Sequence, residues 1–435
     1  MPAILHGGAV GESDAEADRP GVLLGPCRAA LICSGYTPEI QLETGSNTGI
    51  VTAVPNSCPR GATIVARKKV RIIFVGGFLG AGKTTLLWNA ARILIARGKR
   101  VGLITNDQAP DLVDTGLLAR RGLNVAEVAG SCFCCNFKGL IRAAGKMRNE
   151  TRADVILAEP VGSCTDLSGT ILQPLKERFR EEFVPTPLSV LAAPERTPRV
   201  LDGKRLGMHR STAYIIRKQF EEADRILISK ADLLREDRRG KLVKRVSAAF
   251  PDTPVRTISS LTGEGVADWL DDVLSSGKAG SRIADIDYDV YAEGEAALGW
   301  LNAEIALDAN KCCVPDWRLL GIFLMQRIRD ACRERKAPVG HVKMLLATGD
   351  KTCAINLTRS KGKIDLRGDV DESKPKARLV VNARVEMPPE DLEHLLRENL
   401  ELLLKGRVKI GYRRLQRFRP GRPVPTYRYR EVVLP

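Results

Sequence analysis

The stretch VRIIFVGGFLGAGKTTLL occupies residues 70–87 and decides the fold of the central part of the chain. Its first six residues form a largely apolar, β-branched run, which is typical of a strand buried on both faces. The segment GFLGAGKTT at residues 77–85 matches the P-loop pattern and leads into a helical pattern. Because a P-loop follows a buried strand and opens a helix, this context predicts a phosphate-binding site rather than a bare glycine-rich turn.

The residues of the P-loop have distinct predicted roles. Lys83 is expected to reach the terminal phosphates of a nucleotide, and the Thr84 hydroxyl is expected to bind Mg²⁺. The glycines let backbone N–H groups turn toward phosphate oxygens, and the positive N-terminus of the helix faces the anion. The other predicted phosphate-binding residues are Gly77, Gly80, Ala81, Gly82 and Thr85.

Further buried-strand patterns follow along the chain, with helical segments between them. They are VGLIT (101–105), ADVILAE (153–159), PLSVLAA (187–193) and DRILISK (224–230). Strands that alternate with helices predict an α/β fold, here a P-loop NTPase with a mostly parallel sheet flanked by helices. The C-terminal third changes to half-buried strands and amphipathic helices, such as PPEDLEHLLRENLELLLKG (388–406), which predict a smaller α+β domain.

A second pattern concerns the base of the nucleotide. The sequence SKAD at residues 229–232 follows a strand pattern and resembles the N-K-x-D element of GTPases. In that element the Asp carboxylate accepts from N1–H and N2–H₂ of guanine, so Asp232 predicts guanine binding and the Lys230 stem is expected to cover the ring. Ser229 stands where Asn is usual, which leaves the strictness of GTP over ATP open. The SSLTGEG loop that contains Ser260 resembles the loop that closes over guanine O6.

Two acidic residues follow strands of the predicted sheet, at the edge where ligands bind in open α/β folds. Asp107 follows the second strand pattern and is expected to complete the Mg²⁺ shell. Glu159 ends the third, and we expect it to hold a Mg²⁺-bound water or to orient the attacking water. The N–H of Gly162 is expected to sense the γ-phosphate. The alternative for both acids is a simple helix cap.

Three cysteines lie between these two segments in a C-x-C-C pattern: Cys132, Cys134 and Cys135. Thiolates that converge in this way suit Zn²⁺ or Co²⁺ and leave a fourth coordination position open for exchange. Cys164, in the segment GSCTDL, is a further candidate ligand. The alternative is a set of buried free cysteines, which are common core residues.

The P-loop, the C-x-C-C pattern, the E-x-x-G element at 159–162 and the x-K-x-D element at 229–232 occur in one order. Together they resemble the CobW-like metal-chaperone GTPases of the cobalamin-synthesis type, whose relatives insert nickel into urease and hydrogenase. The resemblance covers about residues 70–270. It implies a GTP-hydrolysing metallochaperone that binds Zn²⁺ or Co²⁺ at the cysteines and delivers it to a client metalloprotein, with a role in cobalamin metabolism. We also expect a nucleotide-dependent homodimer.

These patterns predict four segments along the chain. The N-terminal 68 residues lack any sustained period, which predicts a disordered extension. The expected segments are the N-terminal extension (1–68), a P-loop GTPase domain (69–275), a linker (276–286) and a small α+β domain with a basic tail (287–435).

The chain carries a formal net charge of +16, from 68 Lys and Arg against 52 Asp and Glu. Ten of the basic residues lie between Lys405 and Arg430 with no acid among them, which predicts a polyanion-binding tail. A nucleic-acid- or ribosome-associated GTPase is therefore the alternative function, and a P-loop small-molecule kinase is a third. The C-x-C-C pattern argues against the nucleic-acid- or ribosome-associated GTPase. The SKAD element argues against the small-molecule kinase. The acidic stretch ADIDYDVYAEGE (284–295) is predicted to be solvated and to face the basic tail.

The cysteines and the N-terminus indicate a compartment. The chain has 11 cysteines, and their clustered spacing favours thiolate chemistry over disulfides and hence a reducing environment. The N-terminus lacks a basic segment followed by an apolar run, so no signal peptide is predicted. No apolar stretch approaches the roughly 18 residues needed to span a bilayer. We therefore expect a cytoplasmic protein without a membrane span.

Overall fold

The computed structural model describes residues 68–106, 124–128, 131–204, 206–311 and 313–434, which belong to one compact unit. Asp107 and all but the last residue of the predicted N-terminal extension lie outside the described residues. Two sheets organise the described part of the chain.

The first sheet carries the P-loop. Its strands are β1 Val70–Gly77, β2 Val101–Asn106, β3 Asn124–Val128, β4 Val155–Glu159, β5 Phe183–Pro185, β6 Ser189–Ala192, β7 Arg225–Ile228 and β8 Val255–Thr257. Their order is β3-β2-β4-β1-β6-β7-β8, with β5 also paired to β1, and each pairing within the described residues is parallel. The predicted parallel sheet is confirmed. The sequence patterns missed β3, β5 and β8, since these have only five, three and three residues, and β3 and β8 also include polar positions.

The second sheet lies in the C-terminal third and is antiparallel. Its strands are β9 Gly299–Ala309, β10 Val339–Thr348, β11 Lys351–Leu357, β12 Asp365–Gly368, β13 Lys376–Val385 and β14 Val408–Phe418. Their order is β12-β11-β10-β13-β9-β14. This sheet and the helices that pack on it confirm the prediction that the C-terminal third has an α+β fold.

Ten helices of the described residues accompany the two sheets. They are α1 Lys83–Ala96, α2 Phe137–Asn149, α3 Gln173–Arg178, α4 Thr197–Leu201, α5 Arg210–Glu221, α6 Glu236–Ala249, α7 Val266–Ser275, α8 Tyr288–Ala296, α9 Trp317–Glu334 and α10 Pro389–Leu404. A π-helical turn, Ser168–Leu172, leads into α3. Helices α9 and α10 pack with the second sheet in one hydrophobic cluster. Among the described helices, none has both the length and the apolar character required to cross a membrane.

Successive residues of β1 point into two different hydrophobic clusters, which is the mark of a strand covered on both faces. Ile72 and Phe74, both with no exposed surface, pack in a cluster with residues of α2 and α5. Ile73 and Val75, also fully buried, pack on the opposite face with residues of α1 and α7. The central strand therefore holds the P-loop rigidly at its carboxyl end.

The predicted basic tail is in part a strand. Residues 408–418 form β14, which pairs with β9 over its length, with a register shift between Tyr412 and Arg414. Val408 is buried and Ile410 and Tyr412 are half-buried, while Lys409 between them is exposed. The sequence did not reveal this strand because its exposed face is basic and its apolar alternation is short.

The acidic stretch at 284–295 departs from the prediction at one end. Asp289 faces the basic segment as expected, since its Oδ1 accepts from Arg422 Nε at 2.8 Å. The expectation that the whole stretch is solvated is wrong for Glu295, which is 1% exposed and accepts from Ser163 Oγ at 2.6 Å. The reason is that α8 packs against α5, so that its C-terminal end lies in the protein interior. A Cβ at Gly294 of α8 would lie only 2.6 Å from Ile215 Cδ1.

Candidate nucleotide and metal site

The P-loop follows β1 and opens α1 in the conformation that a phosphate-binding loop needs. Gly77 and Gly82 have φ values of +126° and +104°, which side chains with a Cβ rarely adopt. A Cβ at Gly77 would also lie 2.8 Å from the carbonyl oxygen of Leu191. Lys83 folds back over the loop, where its Nζ donates to the Gly77 carbonyl at 2.8 Å. Residues 77–85 thus form one cradle with the lysine across it.

Thr84 and Glu159 come together although they lie on different elements. The Thr84 hydroxyl, in the first turn of α1, donates to Glu159 Oε1 at the end of β4, at 3.0 Å. Octahedral Mg²⁺ with ligands at about 2.1 Å places neighbouring ligand oxygens about 3.0 Å apart. The spacing of this oxygen pair therefore fits two adjacent positions of a Mg²⁺ shell. Asp107, the third predicted ligand, lies outside the described residues.

Gly162 approaches the P-loop closely, and no side chain would fit there. A Cβ at this position would lie 2.9 Å from the backbone N of Leu79 and 3.0 Å from Lys83 Nζ. The segment after β4 therefore contacts the loop directly. This close approach is what the predicted γ-phosphate sensing by Gly162 requires.

The two predicted guanine elements also meet. Ser259 Oγ donates to Asp232 Oδ1 at 2.5 Å, and Lys230, with φ +55°, donates from Nζ to Glu195 Oε1 at 3.1 Å. Ser260 lies beside the P-loop, where its Oγ is 3.7 Å from the position of a Cβ on Gly82. That hydroxyl is buried and has no hydrogen-bond partner within the described part of the chain. An unsatisfied buried hydroxyl next to a phosphate cradle fits a bound nucleotide.

The cysteine pattern folds into one cluster. The sulfur-to-sulfur distances are 2.8 Å for Cys132–Cys134, 3.3 Å for Cys132–Cys135 and 3.8 Å for Cys134–Cys135. Cys132 and Cys134 are buried and Cys135 is half-buried, and all three sulfurs lie within 4.8 Å of one another. The predicted convergence of the three thiols on one point is therefore present.

Asn106 holds the cysteine loop, which carries Cys132, Cys134 and Cys135. No sequence pattern had indicated this role. Its Nδ2 donates to the carbonyls of Val128 and Ser131, both at 2.8 Å, and its Oδ1 accepts from the N–H of Phe133 at 2.8 Å. Asn106 is the last residue of β2 and is buried. A polar residue at the end of an otherwise apolar strand was the available signal. The loop is thus tied to the same sheet edge as the P-loop.

The thiols of the cysteine loop differ in pKa. Hydrogen bonds from Cys134 and then Cys135 hold the pKa of Cys132 well below its usual value. The bond to Cys132, and then burial, raise the pKa of Cys134, while the bond to Cys132 raises that of Cys135 to about 11. Because metal ligation needs thiolates, binding at this cluster would release protons and strengthen as pH rises.

A C-terminal strap, residues 419–434, runs across the cysteine loop. The Thr426 N–H donates to the Cys134 carbonyl at 2.8 Å, and its hydroxyl donates to the Cys135 carbonyl at 3.1 Å. The Tyr427 ring packs edge-on against Phe137 at the start of α2, with 5.3 Å between ring centroids. The strap therefore covers part of the cysteine loop with backbone and ring contacts.

The strap is anchored on both sides of the loop. Arg428 Nε donates at 2.9 Å to the fully buried carboxylate of Asp166, and the N–H of Tyr429 donates to the Gly169 carbonyl at 3.0 Å. Arg422 pairs with Asp289 at 2.8 Å. Part of the basic charge at the C-terminus is thus neutralised by acids of the same chain.

Removing the strap is expected to expose the cysteines. A chain that ends at Gly421 loses both Thr426 hydrogen bonds, and at about 1 kcal/mol each this should speed the reaction of the clustered thiols with a disulfide reagent about thirtyfold. Labelling rates with mass-spectrometric assignment of the modified cysteine measure this. The full-length Arg413→Ala variant, which removes an exposed basic residue of β14, is the control. Equal rates for the truncated and full-length chains would contradict the shielding.

The second sheet also contacts the P-loop. Arg196, which follows β6, donates to the Leu79 carbonyl at 2.5 Å and to the Thr358 carbonyl, beyond β11, at 3.1 Å. A Cβ at Gly340 of β10 would lie 2.9 Å from Leu79 Cδ1. The nucleotide cradle is therefore in direct contact with the C-terminal third of the chain, and the sequence held no signal for this.

The chain is similar to known nucleotide-binding proteins. Residues 71–256 match the family model described as the CobW/HypB/UreG nucleotide-binding domain. The zinc chaperone YjiA of Escherichia coli (strain K12) is 26% identical over 200 residues, which cover 44% of this chain and 58% of that protein. The zinc chaperone CobW of Sinorhizobium sp is 34% identical over 102 residues, which cover 22% of this chain and 28% of that protein. The chain thus spans less than two thirds of each relative.

Two solved structures align more loosely. HypB from Helicobacter pylori in complex with nickel gives a TM-score of 0.35 at 20% identity, covering 47% of this chain and 86% of that one. Zn(II)-bound YjiA GTPase from E. coli gives a TM-score of 0.31 at 15% identity, covering 76% and 99%. Both scores are too low to transfer the role of any residue.

Proposed function

We propose that the protein is a GTP-hydrolysing metallochaperone, since residues 71–256 match the model of the CobW/HypB/UreG nucleotide-binding domain. The observation that carries the proposal is the cluster of Cys132, Cys134 and Cys135, whose sulfurs lie within 4.8 Å of one another. Asn106 ties their loop to the end of β2, and the P-loop follows the nearby strand β1. A thiol cluster at the nucleotide edge of the sheet suits a protein in which a nucleotide controls a bound metal.

Asp232 and the loop after β8 support guanine as the base. An Asp carboxylate pairs with the two adjacent N–H donors of guanine, which adenine does not offer. Ser259 holds that carboxylate by donating to Oδ1, so its orientation is set before a nucleotide binds. Ser260, with its unsatisfied hydroxyl beside Gly82, completes the site next to the phosphates.

Hydrolysis would use the residues gathered at the carboxyl ends of β1 and β4. Lys83 crosses the phosphate cradle and is placed to neutralise charge on the terminal phosphates. The oxygens of Thr84 and Glu159 would hold Mg²⁺, which supplies charge stabilisation to the phosphates when bound. Glu159 is also placed to orient a water molecule, and Gly162 lies where the backbone meets Lys83.

The same elements offer a path from nucleotide to metal. The segment after Glu159 contacts the P-loop, so the presence of a γ-phosphate would bias its position. A hundredfold difference in metal affinity between the GTP and GDP states requires only about 2.7 kcal/mol of coupling. That is small beside the roughly 10–16 kcal/mol that zinc contributes at structural sites. Hydrolysis would thus loosen the metal enough for transfer to a client.

The chemistry of the thiols supports the choice of metal and of compartment. Thiolates are soft ligands that suit Zn²⁺ and also bind Co²⁺, and we propose one of these as the cargo. The described residues include six free thiols, which fits a reducing compartment such as the cytoplasm: Cys132, Cys134, Cys135, Cys164, Cys332 and Cys353. Delivery to a client metalloprotein in cobalamin metabolism and a nucleotide-dependent homodimer complete the proposal.

The central test is the metal affinity in two nucleotide states. Competition with a chromophoric chelator is expected to show at least about tenfold different Zn²⁺ or Co²⁺ affinity with a non-hydrolysable GTP analogue than with GDP, because a coupling of about 1.4 kcal/mol already gives that ratio. The matching ATP analogue and ADP serve as the control for base selectivity. Equal affinities with both guanine nucleotides would refute the coupling.

The exposed face of β14 supports a second candidate function. Lys409, Arg413 and Arg414 are exposed along this edge strand, and such a basic surface suits RNA or another polyanion. A nucleic-acid- or ribosome-associated GTPase would be stimulated by RNA and indifferent to metal. Measuring GTP turnover with RNA, and separately with Zn²⁺ or Co²⁺, distinguishes the two candidates.

A further inference from the structure

Arg196 links the P-loop to the second sheet from the segment that follows β6. Two nitrogens of its guanidinium donate to two carbonyls, that of Leu79 in the P-loop at 2.5 Å and that of Thr358 after β11 at 3.1 Å. The guanidinium carbon also lies 5.1 Å from the centre of the Phe78 ring. A guanidinium presents its N–H donors in a fixed plane, so one side chain holds both carbonyls in a set orientation.

The strand beside the P-loop sets the place of Arg196. Strand β6 pairs in parallel with β1, with Leu191 opposite Gly77. The chain turns immediately beyond β6, where the N–H of Arg196 donates to the Ala193 carbonyl at 3.1 Å. This turn leads directly into α4. The Arg196 side chain therefore leaves the backbone at the carboxyl edge of the sheet, where the phosphate cradle lies.

The preceding residue connects the same turn to the proposed guanine element. Glu195 Oε1 accepts from Lys230 Nζ at 3.1 Å, and Lys230 is the residue expected to cover the guanine ring. The side chains of Lys230 and Glu195 are 24% and 28% exposed, so their ion pair is partly shielded from water. Adjacent residues of one turn thus contact both ends of the proposed nucleotide site, the base element through Glu195 and the phosphate loop through Arg196.

The second sheet also packs directly against the phosphate loop. A Cβ at Gly80, whose φ is +76°, would lie 3.0 Å from both Cβ and Cγ2 of Thr358. A Cβ at Gly340 in β10 would lie 2.9 Å from Leu79 Cδ1. The backbone N of Leu79 in turn lies against Gly162, in the segment after β4. The loop is therefore in contact with the second sheet and with the segment after β4 at neighbouring residues.

We propose that Arg196 is a positioning residue of the nucleotide site, through which the second sheet holds the P-loop in its phosphate-binding shape. This inference rests on the proposed binding and hydrolysis of GTP. Backbone N–H groups of the loop bind phosphate oxygens, so a loop whose carbonyls are held in place presents those donors in fixed directions. Donors that are already in place bind the phosphates without a cost of rearrangement. The role of the second sheet is thus to support the phosphate cradle.

Nucleotide affinity tests the role of Arg196. In the full chain, Arg196→Ala should weaken binding of a fluorescent GTP analogue and of GDP at least about tenfold, because the loop loses a hydrogen bond from a charged donor. The KM for GTP should rise by a similar factor. Arg199→Ala removes an exposed arginine from α4 and should keep the wild-type affinity. A partial loss of folded protein would lower kcat but leave the affinity of the folded fraction unchanged.

The Arg196→Lys variant separates the bridge from the charge. A lysine keeps the positive charge but lacks the planar fork that bonds to two carbonyls at once. We therefore expect its affinity for the GTP analogue to lie between those of Arg196→Ala and the wild-type protein, at least about threefold below the latter. Full recovery in Arg196→Lys would show that charge alone is needed and would overturn the bridge to the second sheet.

The Thr358→Ala variant tests the contact from the side of the second sheet. It removes the Cγ2 atom that lies beside Gly80 and keeps the carbonyl that accepts from Arg196. Affinity for the GTP analogue should fall about threefold, since roughly one buried methyl group is lost. Thr352→Ala, at a half-buried position within β11, is the control and should keep the wild-type affinity.

The same measurements distinguish failure of the inference from failure of the proposed function. Wild-type affinity and KM in Arg196→Ala would overturn the positioning role while the proposed GTP hydrolysis stands. Wild-type affinity in Thr358→Ala would overturn the role of the second sheet. A wild-type protein that binds neither the GTP analogue nor GDP would overturn the proposed function and this inference together.

Discussion

GTP turnover is expected to fall at least about a hundredfold when Lys83 is replaced by alanine. Lys83 is the charged side chain that crosses the phosphate cradle, with its Nζ bonded to the Gly77 carbonyl at 2.8 Å. Removing one preorganised donor that stabilises developing charge typically costs about 10²–10³ in kcat. Steady-state phosphate release at saturating GTP and Mg²⁺ measures the effect.

The variant should remain folded, because the hydrogen bond from Lys83 to the Gly77 carbonyl is worth about 1 kcal/mol. Lys99→Ala is the matched control, since Lys99 is an exposed lysine just beyond α1. Its turnover should equal that of the wild-type protein. A Lys83→Ala protein that keeps its turnover, with an unchanged thermal transition, would show that hydrolysis does not occur at this loop.

Metal binding is expected to weaken at least about a hundredfold when Cys132 is replaced by alanine. Loss of even an outer partner of a metal ligand typically costs about 10–100-fold in affinity, and Cys132 is itself a proposed ligand. It is also the cysteine whose sulfur lies nearest to both other cysteines of the loop, at 2.8 Å from Cys134 and 3.3 Å from Cys135. Chelator competition gives the affinity, and elemental analysis of the purified protein gives the number of bound ions.

Cys353→Ala provides the control for the loss of a buried thiol. Cys353 is fully buried in β11 and lies in the second hydrophobic cluster, away from the cysteine loop. The two variants should be destabilised to a similar extent, but only Cys132→Ala should lose metal. Unchanged metal stoichiometry in Cys132→Ala would remove the cysteine cluster from the mechanism.

Several elements of the site were predictable because their signals are local. The P-loop pattern consists of spaced glycines followed directly by Lys83 and Thr84. All of its residues are close together in the chain, so the sequence pattern alone specifies the phosphate cradle. The strand that carries it was equally clear, since β1 is buried on both faces and reads as an apolar run. Glu159 was predictable as a strand-end acid, and its pairing with Thr84 follows once β1 and β4 are neighbours.

Other contacts had no readable signal in the sequence. The Asn106 side chain bonds to Val128 and Ser131, more than 20 residues away, and an isolated Asn at a strand end is ambiguous. Glu295 was predicted to be solvated because its neighbours are acidic, yet the packing of α8 on α5 buries it. In both cases the outcome depended on which elements pack together, which a local pattern does not contain.

The sequence alone determined the parallel P-loop sheet, the phosphate cradle and the three-cysteine loop, since each is encoded by residues close together in the chain. Tertiary structure decided that the C-terminal strap lies over this loop. The bond from Thr426 to the Cys135 carbonyl spans 291 residues. Such contacts form only where distant segments are brought together by the packing of two sheets, and their free energy depends on that arrangement rather than on local propensity.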